Sequence, residues 1–302
     1  MKKLNVALVG CGRISKNHLR ALAFHSEKLK LVALCDNYKE RIEEALNIYN
    51  GFLNQFTKDI SSLSNSYYDI NEMVNDIKNN KLNIDLVILA TPSGLHANQS
   101  VTFSSLGVNV CTEKPMATNW EDGLRMNNAC EKAGVKLFVV KQNRYNKTLQ
   151  LLKKQLDNNR FGKLLMVNIN VFWQRPQNYY DQDSWRGTLK FDGGALMNQA
   201  SHYVDLLHWL LGPVETISAS LATLGRDIEA EDTAAIQLRF KSGALGTMGV
   251  TMLTYPKNLE GSLTLLGEKG SVRIGGIAVN KIEVWEFDDL DENDEINIKE
   301  AN

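Results

Sequence analysis

Leu4-Asn5-Val6-Ala7-Leu8-Val9-Gly10-Cys11-Gly12-Arg13-Ile14-Ser15 opens with a short apolar run that breaks at two glycines, after which Ile14, His18 and Leu22 recur at helical spacing. The pattern predicts strand, glycine turn and helix, the opening unit of a parallel α/β sheet. Gly10 permits the tight turn, and Gly12 lets backbone approach a pyrophosphate. Arg13 and Ile14 follow at the head of the helix, whose free N–H groups and dipole favour an anion. Ser15 takes the third small position. Such a motif is weak alone. It gains weight because a second strand, Leu31-Val32-Ala33-Leu34-Cys35, ends in Asp36, about 24 residues beyond Gly12 and so near the spacing of a carboxylate that grips a ribose diol. Asp36 would repel a 2′-phosphate, so NAD is expected over NADP; its other reading is a cap on the next helix.

The bulk of the sequence limits the alternatives. A chain of 302 residues with 43% apolar content can build two cored domains. A net charge of −1 gives no broad basic face for nucleic acid or an anionic membrane. No run approaches the roughly 18 apolar residues of a membrane span, and Met1-Lys2-Lys3 leads into a strand rather than a signal peptide. Cys11, Cys35, Cys111 and Cys130 lie far apart, like small buried hydrophobes in a reducing compartment. A soluble cytoplasmic protein without a metal site is expected.

Farther along, Ile42, Ala45, Leu46 and Tyr49 mark a helix, and the polar Phe52 to Ser66 stretch reads as a surface excursion. Ile70 to Ile77 resumes a helix. Leu86 to Ala90 is a continuous apolar strand buried on both faces, ending at Thr91-Pro92-Ser93-Gly94-Leu95-His96, a loop that should line the cofactor. His96 either caps its helix or touches a ligand. A further strand runs into Val110-Cys111-Thr112-Glu113-Lys114-Pro115-Met116. Pro115 has a fixed φ, can be cis, and biases Lys114 away from helix. Alone, Lys114 reads as a surface lysine before a turn; between a dinucleotide motif and a downstream histidine helix it becomes a catalytic candidate. Thr118-Asn119-Trp120-Glu121 resembles a capping box, and Lys136 to Val140 closes a first domain, 1–140.

Beyond it, in 141–302, the period changes. Leu149, Leu152 and Leu156 mark a helix, and Leu165, Val167, Ile169, Val171 and Trp173 alternate as a half-buried antiparallel strand does. Strands are expected at Val214 to Ala222, Thr233 to Phe240, Ala244 to Met252, Ser262 to Leu266 and Ser271 to Ile274, with hairpin turns at Lys241-Ser242-Gly243 and Gly267-Glu268-Lys269-Gly270. One helix, Gly194 to Leu211, would carry an apolar stripe of Met197, Val204, Leu207 and Leu211, with Asn198 and His202 above one another on another face. His208 reads as structural. The fold class is α/β: a Rossmann domain, then an α+β domain with a mostly antiparallel sheet serving substrate binding and assembly.

Gly10-x-Gly12-x-x-Ser15, Asp36, Thr91-Pro92-x-x-x-His96, Glu113-Lys114-Pro115 and Gly193-Gly194 leading to His202 and Asp205 together resemble the Gfo/Idh/MocA oxidoreductases over nearly the whole chain. Lys141-Gln142-Asn143-Arg144, Tyr179-Tyr180-Asp181-Gln182, Trp185-Arg186-Gly187, Phe191-Asp192-Gly193-Gly194, Met197 to Tyr203 and Met252 to Gly261 are similar to the subgroup of UDP-N-acetylglucosaminuronate 3-dehydrogenases, which make a 3-keto sugar for bacterial surface polysaccharides such as lipopolysaccharide. Two departures stand out. Asn198 occupies a position where many relatives carry aspartate, although the subgroup shares the asparagine. The acidic Asp288 to Glu295 tail is expected to be solvated and disordered, where relatives continue into a helix packed on the nucleotide domain.

The resemblance implies NAD as cofactor, a UDP-sugar substrate, a homo-oligomer, and in some relatives reoxidation of NADH by 2-oxoglutarate. Oxidising a secondary alcohol needs a base for the hydroxyl proton, and Lys114 and His202 are the candidates. An imidazole with a pKa of about 6.5 is largely neutral at pH 7 and a lysine of about 10.4 is not, so His202 is read as acceptor and Lys114 as the cation that steadies developing alkoxide. The reverse holds if burial depresses the lysine. Glu113, Gln142, Trp185 and Arg186 join the expected cofactor set; Arg144, Asn198, Ser201, Tyr203 and Lys257 join Lys114 and His202 in the substrate set. Trp173 and Tyr179 read equally as core. The cations Lys141, Arg144, Arg186 and Lys257 suit an acidic, diphosphate-bearing sugar. A free sugar or cyclitol, or a cofactor sensor without turnover, are the other readings.

Overall fold

The computed structural model describes residues 2–56, 65–289 and 291–302. The chain falls into two compact units, Met1–Val140 and Lys141–Asn302. In the first, β1 (Leu4–Val9), α1 (Ser15–Phe24), β2 (Leu29–Cys35), α2 (Lys39–Phe56), β3 (Asn65–Tyr67), α3 (Ile70–Lys78), β4 (Leu86–Leu89), α4 (His96–Ser105), β5 (Asn109–Thr112), α5 (Trp120–Ala133) and β6 (Leu137–Val139) alternate. Every strand pairing is parallel, in the order β3-β2-β1-β4-β5-β6. Side chains alternate across a strand, so β1 feeds both layers: Val6 and Leu8 pack with Leu19, Ile42 and Tyr49, and Ala7 and Val9 with Met73, Phe103 and Cys130. Strand order reverses at β1 and β4, whose carboxyl ends are where a doubly wound sheet takes its ligand.

Three local expectations change. Phe52 to Phe56 is not surface excursion but the end of α2, because Leu53 sits one turn beyond Tyr49 and is buried; an Asn-rich composition hid that stripe. Asn65 and Ser66 belong to β3, paired with Ala33 and Leu34, and the rest of that stretch lies outside the described residues. Helix α5 is capped by Asn119 rather than by a box from Thr118 to Glu121: the side-chain Oδ1 of Asn119 accepts the Asp122 N–H at 2.8 Å.

The second unit contains α6 (Lys147–Asp157), β7 (Leu164–Phe172), α7 (Gln177–Asp181), α8 (Gly194–Met197), α9 (Ser201–Leu211), β8 (Val214–Ala222), β9 (Thr233–Phe240), β10 (Leu245–Thr251), β11 (Glu260–Gly267), β12 (Gly270–Gly275), β13 (Lys281–Phe287) and α10 (Asp294–Ala301). Its sheet runs β13-β12-β11-β7-β10-β9-β8. It is antiparallel except at its centre, where β7 pairs parallel with β10. Val167, Ile169 and Val171 of β7 share a core with Leu149, Leu206, Leu210, Phe240 and Leu263.

Here too the structure corrects the sequence reading. Gly194 to Leu211 is two helices, α8 and α9, with Asn198, Gln199 and Ala200 between them. The break re-aims the second half. Val204 is exposed, and Tyr203, Leu206, Leu207, Leu210 and Leu211 form the buried face. His208 is exposed rather than structural. The acidic tail does not stay disordered: α10 sets Ile298 and Ala301 against the core, and Arg160 pins its first residue, with Nη1 and Nη2 donating to Asp294 at 2.8 and 2.7 Å. No helix among the described residues is long and apolar enough to cross a membrane.

Candidate active site

In the first unit the glycine turn leaves β1 at Gly10, whose φ is +93°. A Cβ there would stand 2.5 Å from the Ala90 carbonyl oxygen, so only glycine lets the turn cross the end of β4. At Gly12 nothing lies within 4 Å of the corresponding position, so the backbone is open to a ligand. Asp36 sits beside this turn, its Oδ2 accepting the Cys11 N–H at 2.8 Å and its Oδ1 the Tyr38 N–H at 3.0 Å. It therefore caps locally and also holds a fixed carboxylate at the turn, where lone pairs remain for a diol. Arg13 is exposed, and Ile14 packs partly into the α1–α2 layer.

The Glu113-Lys114-Pro115 turn is held from two sides. Glu113 is buried, with Oε1 2.8 Å from His18 Nε2 on α1 and Oε2 accepting the Lys114 N–H at 3.1 Å. Burial pushes its carboxyl up, but the hydrogen bond and charge of His18, then the N–H and charge of Lys114, hold it below the usual carboxylate range. His18 was not anticipated; at helical spacing from Ile14 and Leu22 it read as part of an apolar face. The Lys114–Pro115 bond is cis, as is Tyr255–Pro256. His96 is fully buried, with Nδ1 2.9 Å from the Pro115 carbonyl and Nε2 3.0 Å from the Thr91 carbonyl. Burial lowers its pKa, and the two carbonyls and Glu113 only partly restore it. It clamps the Thr91-Pro92 loop to the proline turn, a role neither of its sequence readings held. The Thr91 hydroxyl in turn donates to Gln99 at 2.6 Å.

In the second unit a single turn of 3-10 helix, Gln142–Tyr145, lies along α9. Gln142 Nε2 is 3.2 Å from His202 Nε2, and one helical turn on, Arg144 binds Asp205 through Nε and Nη2, each at 2.7 Å. Asn198 does not stack over His202. The break after α8 turns its amide onto Asp192, a buried carboxylate that also accepts the Gly187 N–H at 2.8 Å. Ser201 Oγ donates to the Asn198 carbonyl at 3.0 Å, bracing the break. Tyr203 is a correction to the substrate set: it is fully buried, edge-on to Trp173 at 6.0 Å, in the core beneath α9. Arg186 lies over Tyr179 and Trp185 at 4.5 and 4.8 Å and donates to Asp183. Lys257 is exposed.

Residues 4–141 match the NAD-binding Rossmann fold of the oxidoreductase family, and residues 149–273 match the GFO/IDH/MocA C-terminal domain. The chain belongs to the Gfo/Idh/MocA oxidoreductases. Among members with solved structures, the WlbA dehydrogenase of Chromobacterium violaceum, crystallised with NADH and UDP-GlcNAcA, is 53% identical, with a TM-score of 0.91 over 100% of this chain and 82% of that one. The WlbA dehydrogenase of Bordetella pertussis, in complex with the same pair, is 52% identical with a TM-score of 0.88, over 97% and 84%. Among curated relatives, the D-apiose dehydrogenase of Paraburkholderia graminis is 27% identical over 91% of this chain and 68% of its own length, and the myo-inositol 2-dehydrogenase of Thermotoga maritima 25% over 89% and 74%.

As a Gfo/Idh/MocA enzyme the protein is an NAD-dependent dehydrogenase, and its first unit fits that cofactor. The open backbone at Gly12 and the helix it leads into suit a pyrophosphate, and Asp36 suits an unphosphorylated ribose.

Proposed function

We propose that the protein oxidises the 3-hydroxyl of a UDP-N-acetylhexosaminuronic acid to the 3-keto sugar, a step toward diaminouronic sugars of bacterial surface polysaccharide. The observation that carries this is the 53% identity, over the whole chain, to a WlbA dehydrogenase crystallised with NADH and UDP-GlcNAcA. Bound NAD would supply the acceptor for the hydride that leaves the sugar carbon. The remaining work falls to side chains. His202 accepts the hydroxyl proton: the Gln142 amide nitrogen 3.2 Å from its Nε2 is a donor, which favours the neutral tautomer with its lone pair on Nε2, and the substrate hydroxyl takes that amide's place there. Lys114, on a turn braced by Glu113 and His96, supplies the positive charge that steadies the alkoxide as it forms. The same reading includes a homo-oligomer in the cytoplasm and recycling of NADH by 2-oxoglutarate.

The test is mass spectrometry of the purified protein incubated with UDP-GlcNAcA and with a panel of free sugars and cyclitols, 2-oxoglutarate present throughout. Loss of two hydrogens from the nucleotide sugar, with 2-hydroxyglutarate formed, is the expected result. Turnover of a free sugar or inositol alone would replace this reading with one nearer the apiose and inositol dehydrogenases.

A further inference from the structure

Four cations were candidates for an acidic ligand, and the structure distinguishes them. Arg144 is taken by Asp205 through two hydrogen bonds and stacks over Trp209 at 5.5 Å. Arg186 is paired with Asp183 at 2.9 Å. Lys257 is exposed to water. Lys141 is different: it is mostly removed from water, yet among the described residues it makes no hydrogen bond or ion pair. Its neighbours in charge are Asp205 and Arg144, which are already committed to each other. Burial pushes its pKa down; Asp205 pulls it back and Arg144 adds to the depression. A protein gains nothing in stability from a desolvated ammonium without a partner, so the position is built for a charge that arrives with a ligand.

Resting on the function proposed above, we infer that Lys141 receives the carboxylate of the uronic acid and sets the preference for the acidic sugar. Lys141 directly precedes Gln142, whose amide meets His202, and its ammonium lies near enough to Asp205, one helical turn from His202 on α9, for the two charges to interact. The carboxylate is the anion carried on the reacting ring itself, and one ammonium with three N–H donors matches one negative charge. A diphosphate, more highly charged and forked, suits guanidinium donors better. Arg175 and Arg226 in this unit hydrogen-bond to backbone and amide oxygens rather than to carboxylates.

The experiment compares kcat/KM on UDP-N-acetylglucosaminuronate and UDP-N-acetylglucosamine, identical except at C6, for the wild type, Lys141→Met and Lys141→Arg. The wild type should favour the acid about ten- to hundred-fold, the size of one charge-assisted contact. Lys141→Met should lose most of that preference by slowing on the acid alone, and Lys141→Arg should recover part of it. The Met variant should melt no lower than the wild type, since no bond is lost in the free protein. Equal loss on both substrates, a preserved preference, or a lower melting temperature would overturn the assignment of Lys141. A wild type indifferent to the carboxylate would instead overturn the uronic-acid reading from which it follows.

Discussion

His18 Nε2 lies 2.8 Å from Glu113 Oε1, which ties the helix behind the glycine turn to the turn that carries Lys114. Glu113 is held below the ordinary carboxylate range, so its ionised form stabilises the fold. That contribution is complete above the unfolded value of about 4.3 and is lost as pH falls through the lowered folded value. Glu113→Gln should cost about 1–3 kcal/mol at pH 7, and the gap in melting temperature should hold down to about pH 4.3 and narrow only below it. A gap independent of pH through this range would mean that the carboxylate charge has no part in holding the turn.

Asp36, whose carboxylate sits at the glycine turn, is the residue proposed to set the cofactor preference. Titrating NAD and NADP against the wild type by fluorescence should show tighter NAD binding. Asp36→Ser should shift the ratio toward NADP by removing repulsion of a 2′-phosphate. Affinity for NAD should also fall, because the Cys11 and Tyr38 N–H groups lose their acceptor. An unchanged ratio would take from Asp36 its proposed role at the ribose.

Lys114→Ala and His202→Ala should each lower kcat by about 10²- to 10⁴-fold while leaving NAD binding nearly intact. Full turnover in either variant removes that residue from the catalytic set. Gln142→Leu should shift the pH profile of kcat/KM through loss of the donor at His202 Nε2, whereas a merely structural Gln142 would lower activity equally at every pH.

Arg160 holds the final helix, donating to Asp289 and Asp294 and lying 4.2 Å over the Phe287 ring. Arg160→Ala should destabilise the second unit by about 1–3 kcal/mol. Hydrogen exchange should show α10 losing protection before the sheet does. Unaltered protection of residues 294–301 would show that Ile298 and Ala301 alone seat the helix.

Local signals in the sequence were strong where one short stretch carries the whole physical requirement. The Gly10 turn needs a residue without Cβ, the strand before Asp36 is apolar throughout, and the Lys114–Pro115 turn is set by proline. From these the nucleotide fold, the Asp36 carboxylate and the candidate base and cation could be named. What could not be read depends on partners distant in the chain. His18 meets Glu113 across 95 residues, and Arg160 meets Asp294 across 134, so neither contact leaves a periodic trace. The helix break after Asn198 exists because Asp192 and Ser201 offer its amide and carbonyl better partners than a continuous helix would. The sequence alone specified which chemistry-bearing side chains are present. Only tertiary packing decided that Arg144 is neutralised by Asp205 and Lys141 is not, because ion pairing depends on where two side chains finish and burial decides what an unpaired charge costs.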